Sequence, residues 1–166
     1  GKRILYSGDF RMHGRKSALP KRMMKAPPTD LDVLLMEGTN LRSDKPCVTE
    51  NHLEDAFVQL FRGTPGRVFV AWSAQNIDRT VTLYRACLTA GRTLAVDLYT
   101  AEVMEVAADF GKLPRPGWDN LKVVITSAFG RMYRRIGREG FVERMVPFGI
   151  SASKLTETPE RWVAMV

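Results

Sequence analysis

Apolar positions recur along this chain with two periods, and the alternation between them sets the architecture. Short apolar runs bounded by turn residues read as strands at 3–6, 31–37, 68–72, 94–98, 121–126 and 161–166. Helical spacing fills the intervals. Val48, Leu53, Ala56, Phe57, Leu60 and Phe61 share a face that follows Thr49, a good N-cap, and runs to about Arg62, where Gly63-Thr64-Pro65-Gly66 ends it. Ile77, Val81, Tyr84 and Leu88 line a second helix that stops at Gly91. Thr100 is expected to cap a third, carrying Val103, Val106, Ala107 and Phe110, and an Arg-rich helix is expected from about Arg131. Residues 21–25 read as a short helix stopped by Pro27-Pro28. Apolar strands alternating with amphipathic helices predict an α/β fold in three layers, a mainly parallel sheet flanked by helices.

Length changes this picture little, since 166 residues suffice for one domain with a real core, or one plus part of a neighbour. Charge changes it more. The net +7 is concentrated in residues 1–26, where eight Lys and Arg face Asp9 alone; the remainder of the chain sums to zero. Such a basic stretch attracts a phosphate backbone, RNA or single-stranded DNA, and is equally compatible with a solvated loop. Cys47 and Cys87 have no Cys-x-x-Cys partner and read as reduced thiols of a cytoplasmic protein, not a disulfide framework or zinc knuckle. No apolar run is long enough to cross a bilayer, so no membrane partner is expected, and a homo-oligomer is compatible with the composition. Neither Gly-x-Gly-x-x-Gly nor a Walker pattern occurs, which argues against a dinucleotide or ATP site.

In an open parallel sheet, ligands bind beyond the carboxyl ends of the strands. Two successive strands deliver an acidic residue there: Asp9, in Tyr6-Ser7-Gly8-Asp9-Phe10-Arg11-Met12-His13-Gly14, and Glu37, in Glu37-Gly38-Thr39-Asn40. Asp9 either caps a turn or projects into a cleft as a ligand for zinc or another metal ion. Arg11 and His13 follow it in the basic loop as substrate contacts. Ser73-Ala74-Gln75-Asn76 leads into a helix, so Ser73, Gln75 and Asn76 suit a phosphate or ribose, or else cap the helix; Arg79 is a further phosphate contact. Arg131, Arg134, Arg135, Arg138 and Arg144, interleaved with Phe129, Tyr133 and Phe141, form either a second nucleic-acid contact or a solvated face over packed aromatics.

The Gly8-Asp9-Phe10 and Glu37-Gly38-Thr39 strand ends, with the stretches 68–79 and 91–97, resemble the β-CASP nucleases of the metallo-β-lactamase fold, in their ribonuclease J-like exonuclease branch. The resemblance implies that residues 1–40 are the C-terminal part of a metallo-β-lactamase-like domain and 41–166 a truncated β-CASP-like domain, with 40–46 the crossing between them. It implies a zinc-dependent hydrolase of RNA or single-stranded DNA, with Asp9 bridging two zinc ions. Glu37 would orient a His from another part of the protein. The family's His-x-His-x-Asp-His motif is not in this sequence, which holds only His13 and His52, so the chain reads as a fragment that is inactive alone. Gly38 stands where the family has Ser or Thr, and Asp78 where it tends to have His. These departures keep open an alternative, a non-catalytic α/β module that binds nucleic acid or protein.

Overall fold

In the computed structural model, which describes residues 1–8, 12–38 and 46–166, the chain divides into two units, Gly1–His52 and Leu53–Val166. The first holds β1 (Ile4–Tyr6), α1 (Ala18–Lys25) and β2 (Val33–Leu35). β1 and β2 pair in parallel, Ile4 opposite Val33 and Tyr6 opposite Leu35. Asp32 anchors the start of that register: its carboxylate accepts from the Arg3 backbone N–H at 2.8 Å and from Lys2 Nζ at 3.0 Å. Those two bonds, the backbone one first, hold its pKa below the ordinary carboxylate value. The Ser7 N–H donates to the Leu35 carbonyl at 3.0 Å and carries the ladder one step further. α1 starts at Ala18, earlier than the spacing of 21–25 suggests, and ends just before Pro27-Pro28; none of its residues is buried. Asp9, Phe10 and Arg11, and residues 39–45, which include all of the expected crossing at 40–46 but Pro46, lie outside the described residues.

The chain then runs through α2 (Glu50–Gly63), β3 (Val68–Val70), α3 (Ile77–Ala90), β4 (Thr93–Val96), α4 (Leu98–Ala108), β5 (Leu121–Val124), α5 (Ser127–Arg135), α6 (Glu139–Met145), β6 (Gly149–Ile150), α7 (Lys154–Glu157) and β7 (Trp162–Met165). Five strands form one sheet in the order β3-β7-β4-β5-β6, with every pairing parallel. Side chains alternate across it as the pleat requires. Leu94, Val96, Leu121, Val123 and Val163 face a core with Phe61 of α2, Leu83 and Cys87 of α3, Leu98 and Met104 of α4, Tyr133 of α5 and Phe141 of α6. Ala95, Trp162 and Ala164 face the other way and pack with Leu155 of α7. The α/β, three-layer, parallel architecture is therefore the one that the apolar spacing predicts.

Element boundaries differ from the expectation in specific ways. β3 stops at Val70 and β4 at Val96, each earlier than its apolar run, because the next residues turn toward a helix. Asp97, not Thr100, caps α4: its carboxylate accepts from the Thr100 backbone N–H at 2.7 Å. Phe110 lies beyond α4 and is 86% exposed. α5 begins at Ser127, ahead of Arg131, because Thr126 Oγ1 accepts from the Phe129 N–H at 3.2 Å and starts the helix there. A contact far apart in sequence fixes the opposite edge. Arg92 is 6% exposed, and its guanidinium donates to the Gly66 carbonyl at 2.8 Å and to the Thr64 carbonyl, tying the turn before β3 to the start of β4.

Candidate functional site

Because every strand of the larger sheet points the same way, the loops after β3, β4 and β5 open on one edge. The loop after β3 is held at both ends. Trp72 Nε1 donates to Thr80 Oγ1 at 3.0 Å, Ala74 is buried, and the Asn76 N–H donates to the Ser73 carbonyl at 2.9 Å. Asn76 is the N-cap of α3, its side-chain oxygen accepting from the Arg79 backbone N–H at 3.2 Å. The capping role is thus present at Asn76, and it leaves the amide NH2 as the available donor. Ser73 and Gln75 are exposed at the same turn.

β7 lies between β3 and β4, so their loops begin two strand spacings apart, about 10 Å. Gln75 bridges that interval by donating from Nε2 to the Tyr99 hydroxyl at 3.2 Å. Ser73, Gln75 and Asn76 are thereby grouped with Tyr99, which is 44% exposed. The N-termini of α3, α4 and α5 direct their partial positive charge to this edge. Below it, the Tyr133 hydroxyl donates to Glu102 Oε2 at 2.9 Å, and Arg138 pairs with the same carboxylate. Burial first, then the nearby Asp97 and Tyr99, push the Tyr133 pKa up, which keeps the hydroxyl protonated as a donor. The Glu102–Tyr133–Arg138 group carries no sequence signal, since its members are 31 and 36 positions apart and meet only in the fold. Chemically, the edge offers neutral donors and the dipoles of α3 and α5 in a half-exposed setting, with the Asp97 carboxylate at the start of α4. This suits a hydroxylated ligand whose anionic group lies on the α3 side.

In the first unit, Glu37 is exposed two residues beyond Leu35, and Gly8 (φ +59°) two beyond Tyr6. Since Tyr6 pairs with Leu35, both segments leave the ladder at the same end. His13 is half-buried, and its carbonyl accepts from the Glu50 N–H at 3.3 Å. Asp9 and Arg11 lie outside the described residues. Among the described residues no three of His, Cys, Asp and Glu come together to hold a metal ion, so no metal chemistry is assigned to them. Likewise, no described helix is long and apolar enough to cross a membrane.

No family model matches the chain. It is 32% identical over 116 aligned positions to ribonuclease J of Mycobacterium tuberculosis, in the CDC 1551 and H37Rv strains alike. It is 28% identical over the same length to ribonuclease J of Mycolicibacterium smegmatis mc(2)155. The alignment takes in 66% of this chain and 21% of each of those proteins. A solved structure of a protein of unknown function from Enterococcus faecalis V583 shares the fold, with a TM-score of 0.63 at 17% identity, over 98% of this chain and 35% of that one. The chain thus spans about a fifth of the length of the ribonucleases J that it resembles, and has the fold of part of a longer solved protein.

Proposed function

We propose that this chain is part of a β-CASP nuclease of the metallo-β-lactamase fold, acting on phosphodiester bonds of RNA or single-stranded DNA. In this reading residues 1–40 close a metallo-β-lactamase-like domain and 41–166 begin the β-CASP-like domain. The observation that carries it is the 32% identity to ribonuclease J over 116 positions. Ser73, Gln75, Asn76 and Tyr99 hold phosphate and ribose at the sheet edge, with Arg79 one turn into α3, and so orient the strand that is cut. Zinc dependence rests on Asp9 and on ligands supplied from elsewhere in a longer polypeptide, with Glu37 positioning one of them. The described residues do not form such a site by themselves.

The test has two arms. The 166-residue chain, given an end-labelled oligonucleotide and zinc, is expected to bind it in a salt-sensitive manner and to leave it uncut. Asn76→Asp keeps the cap of α3 but adds a negative charge at the edge, and should weaken binding about tenfold with an unchanged melting temperature. In the longer polypeptide, Asp9→Ala should abolish cleavage with folding intact. Cleavage by the isolated chain, or wild-type cleavage by the Asp9→Ala protein, would refute the reading. Salt-sensitive binding with no cleavage by the longer protein would favour the non-catalytic module instead.

A further inference from the structure

α5 separates its aromatic side chains from its arginines, with Met132 exposed among the latter. Tyr133 and Gly130 are buried and Phe129 packs against the core, so the aromatics that alternate with the arginines are turned inward and are not a stacking platform. The arginines are turned outward, and the fold treats them in two ways. Arg138 and Arg144, just beyond α5 and at the end of α6, are neutralised by Glu102 and Glu105 of α4. Arg131, Arg134 and Arg135 are exposed, and among the described residues none of them has a carboxylate partner. Glu139 is only four positions beyond Arg135 and is exposed without pairing to it. The helical rise places Arg131 and Arg135 about 6 Å apart along one face.

We infer that the outward face of α5, formed by Arg131, Arg134 and Arg135, is a contact for the phosphate backbone of single-stranded nucleic acid. Guanidinium groups match phosphate oxygens in geometry and stay charged throughout the physiological range. Three of them on one exposed helix face, with the aromatics withdrawn, provide electrostatic and sequence-independent binding. The same helix starts at the carboxyl edge of the sheet, one strand along from Asp97 and the first turn of α4, which carries Tyr99. A strand held at Ser73, Gln75 and Asn76 is thereby led outward along α5. This inference extends the nuclease reading to a second contact, but it stands on the charge distribution of α5 and not on the chemistry at the strand ends.

The experiment is fluorescence anisotropy of a labelled oligouridine with the 166-residue chain, as a function of salt. The triple variant Arg131→Gln, Arg134→Gln, Arg135→Gln should bind at least tenfold more weakly at low salt. Its slope of log affinity against log salt should be shallower by about two, as expected when three arginines no longer neutralise phosphates of a single strand. The corresponding triple Lys variant should retain the slope, and circular dichroism should show all three proteins equally folded. An unchanged slope in the Gln variant, with binding by the wild type intact, would overturn the α5 contact while leaving the edge site standing. If the wild type binds no oligouridine at low salt, both fall. Binding of polyglutamate as tight as that of oligouridine, abolished in the same variant, would overturn the nucleic-acid assignment in favour of an acidic protein partner.

Discussion

Cys87 is fully buried on α3 among Leu83, Leu94 and Val163, and this burial pushes its thiol pKa well up, offset only in part by the charge of Arg92. The folded protein therefore keeps a proton that the unfolded chain releases near the ordinary thiol value, about 8.5. The stability contributed by this difference is fully present below that value and is lost as the pH rises above it. Tyr84 and Tyr133, both raised chiefly by burial, add the same sign at higher pH. Urea denaturation should show stability declining from about pH 8.5 upward, with Cys87→Ala flattening the first part of the decline. Cys47 is exposed, so a thiol reagent should titrate one group in the native protein and two in denaturant. Rapid reaction of both thiols in the native state would contradict this.

At the scale of elements, helix and strand boundaries are set by contacts between positions that look alike in sequence. Asp97 and Thr100 both have cap chemistry and stand three apart; the cap bond runs from the N–H of one to the side chain of the other, and composition does not tell which residue plays which part. The longer strands are legible in the sequence because each is an apolar run bounded by glycine, proline or polar residues. β6 is not, since two residues carry no period. The loop after β3 is legible as a strand end leading into a helix, whereas the Gln75–Tyr99 bond depends on β7 entering between their strands, which no local pattern announces. The Arg92 tie to Thr64 and Gly66 is equally hidden, across 28 and 26 positions. Arg92→Met should lower the unfolding free energy by about 3 kcal/mol, because two charge-assisted bonds go and two carbonyls are left without their partner. A loss below about 1 kcal/mol in urea denaturation would show that water replaces the guanidinium.

Across the whole molecule, apolar burial is unevenly shared. Ile4, Tyr6, Leu34, Leu35 and Met36 are exposed in the first unit, while Leu94, Val96, Leu121 and Val163 are fully buried in the second. Resistance to local opening follows buried apolar contact. Native-state hydrogen exchange should therefore protect the amides of β4, β5 and β7 far more than those of β1 and β2, and equal protection would refute the uneven distribution. The position of β7 bears on how such a chain comes into being. It is the last in sequence of the five described strands of its sheet, yet it sits between the first and the second. While the polypeptide leaves the ribosome, β3 has no neighbour at all and β4 has one open flank, until Trp162–Met165 arrives: Val163 pairs with Val68, 95 positions earlier, and with Leu94, 69 positions earlier. Closing the sheet is thus a late, long-range event. Until β7 is made, the nascent chain carries unpaired strand edges, the interval in which chaperones and aggregation compete for it.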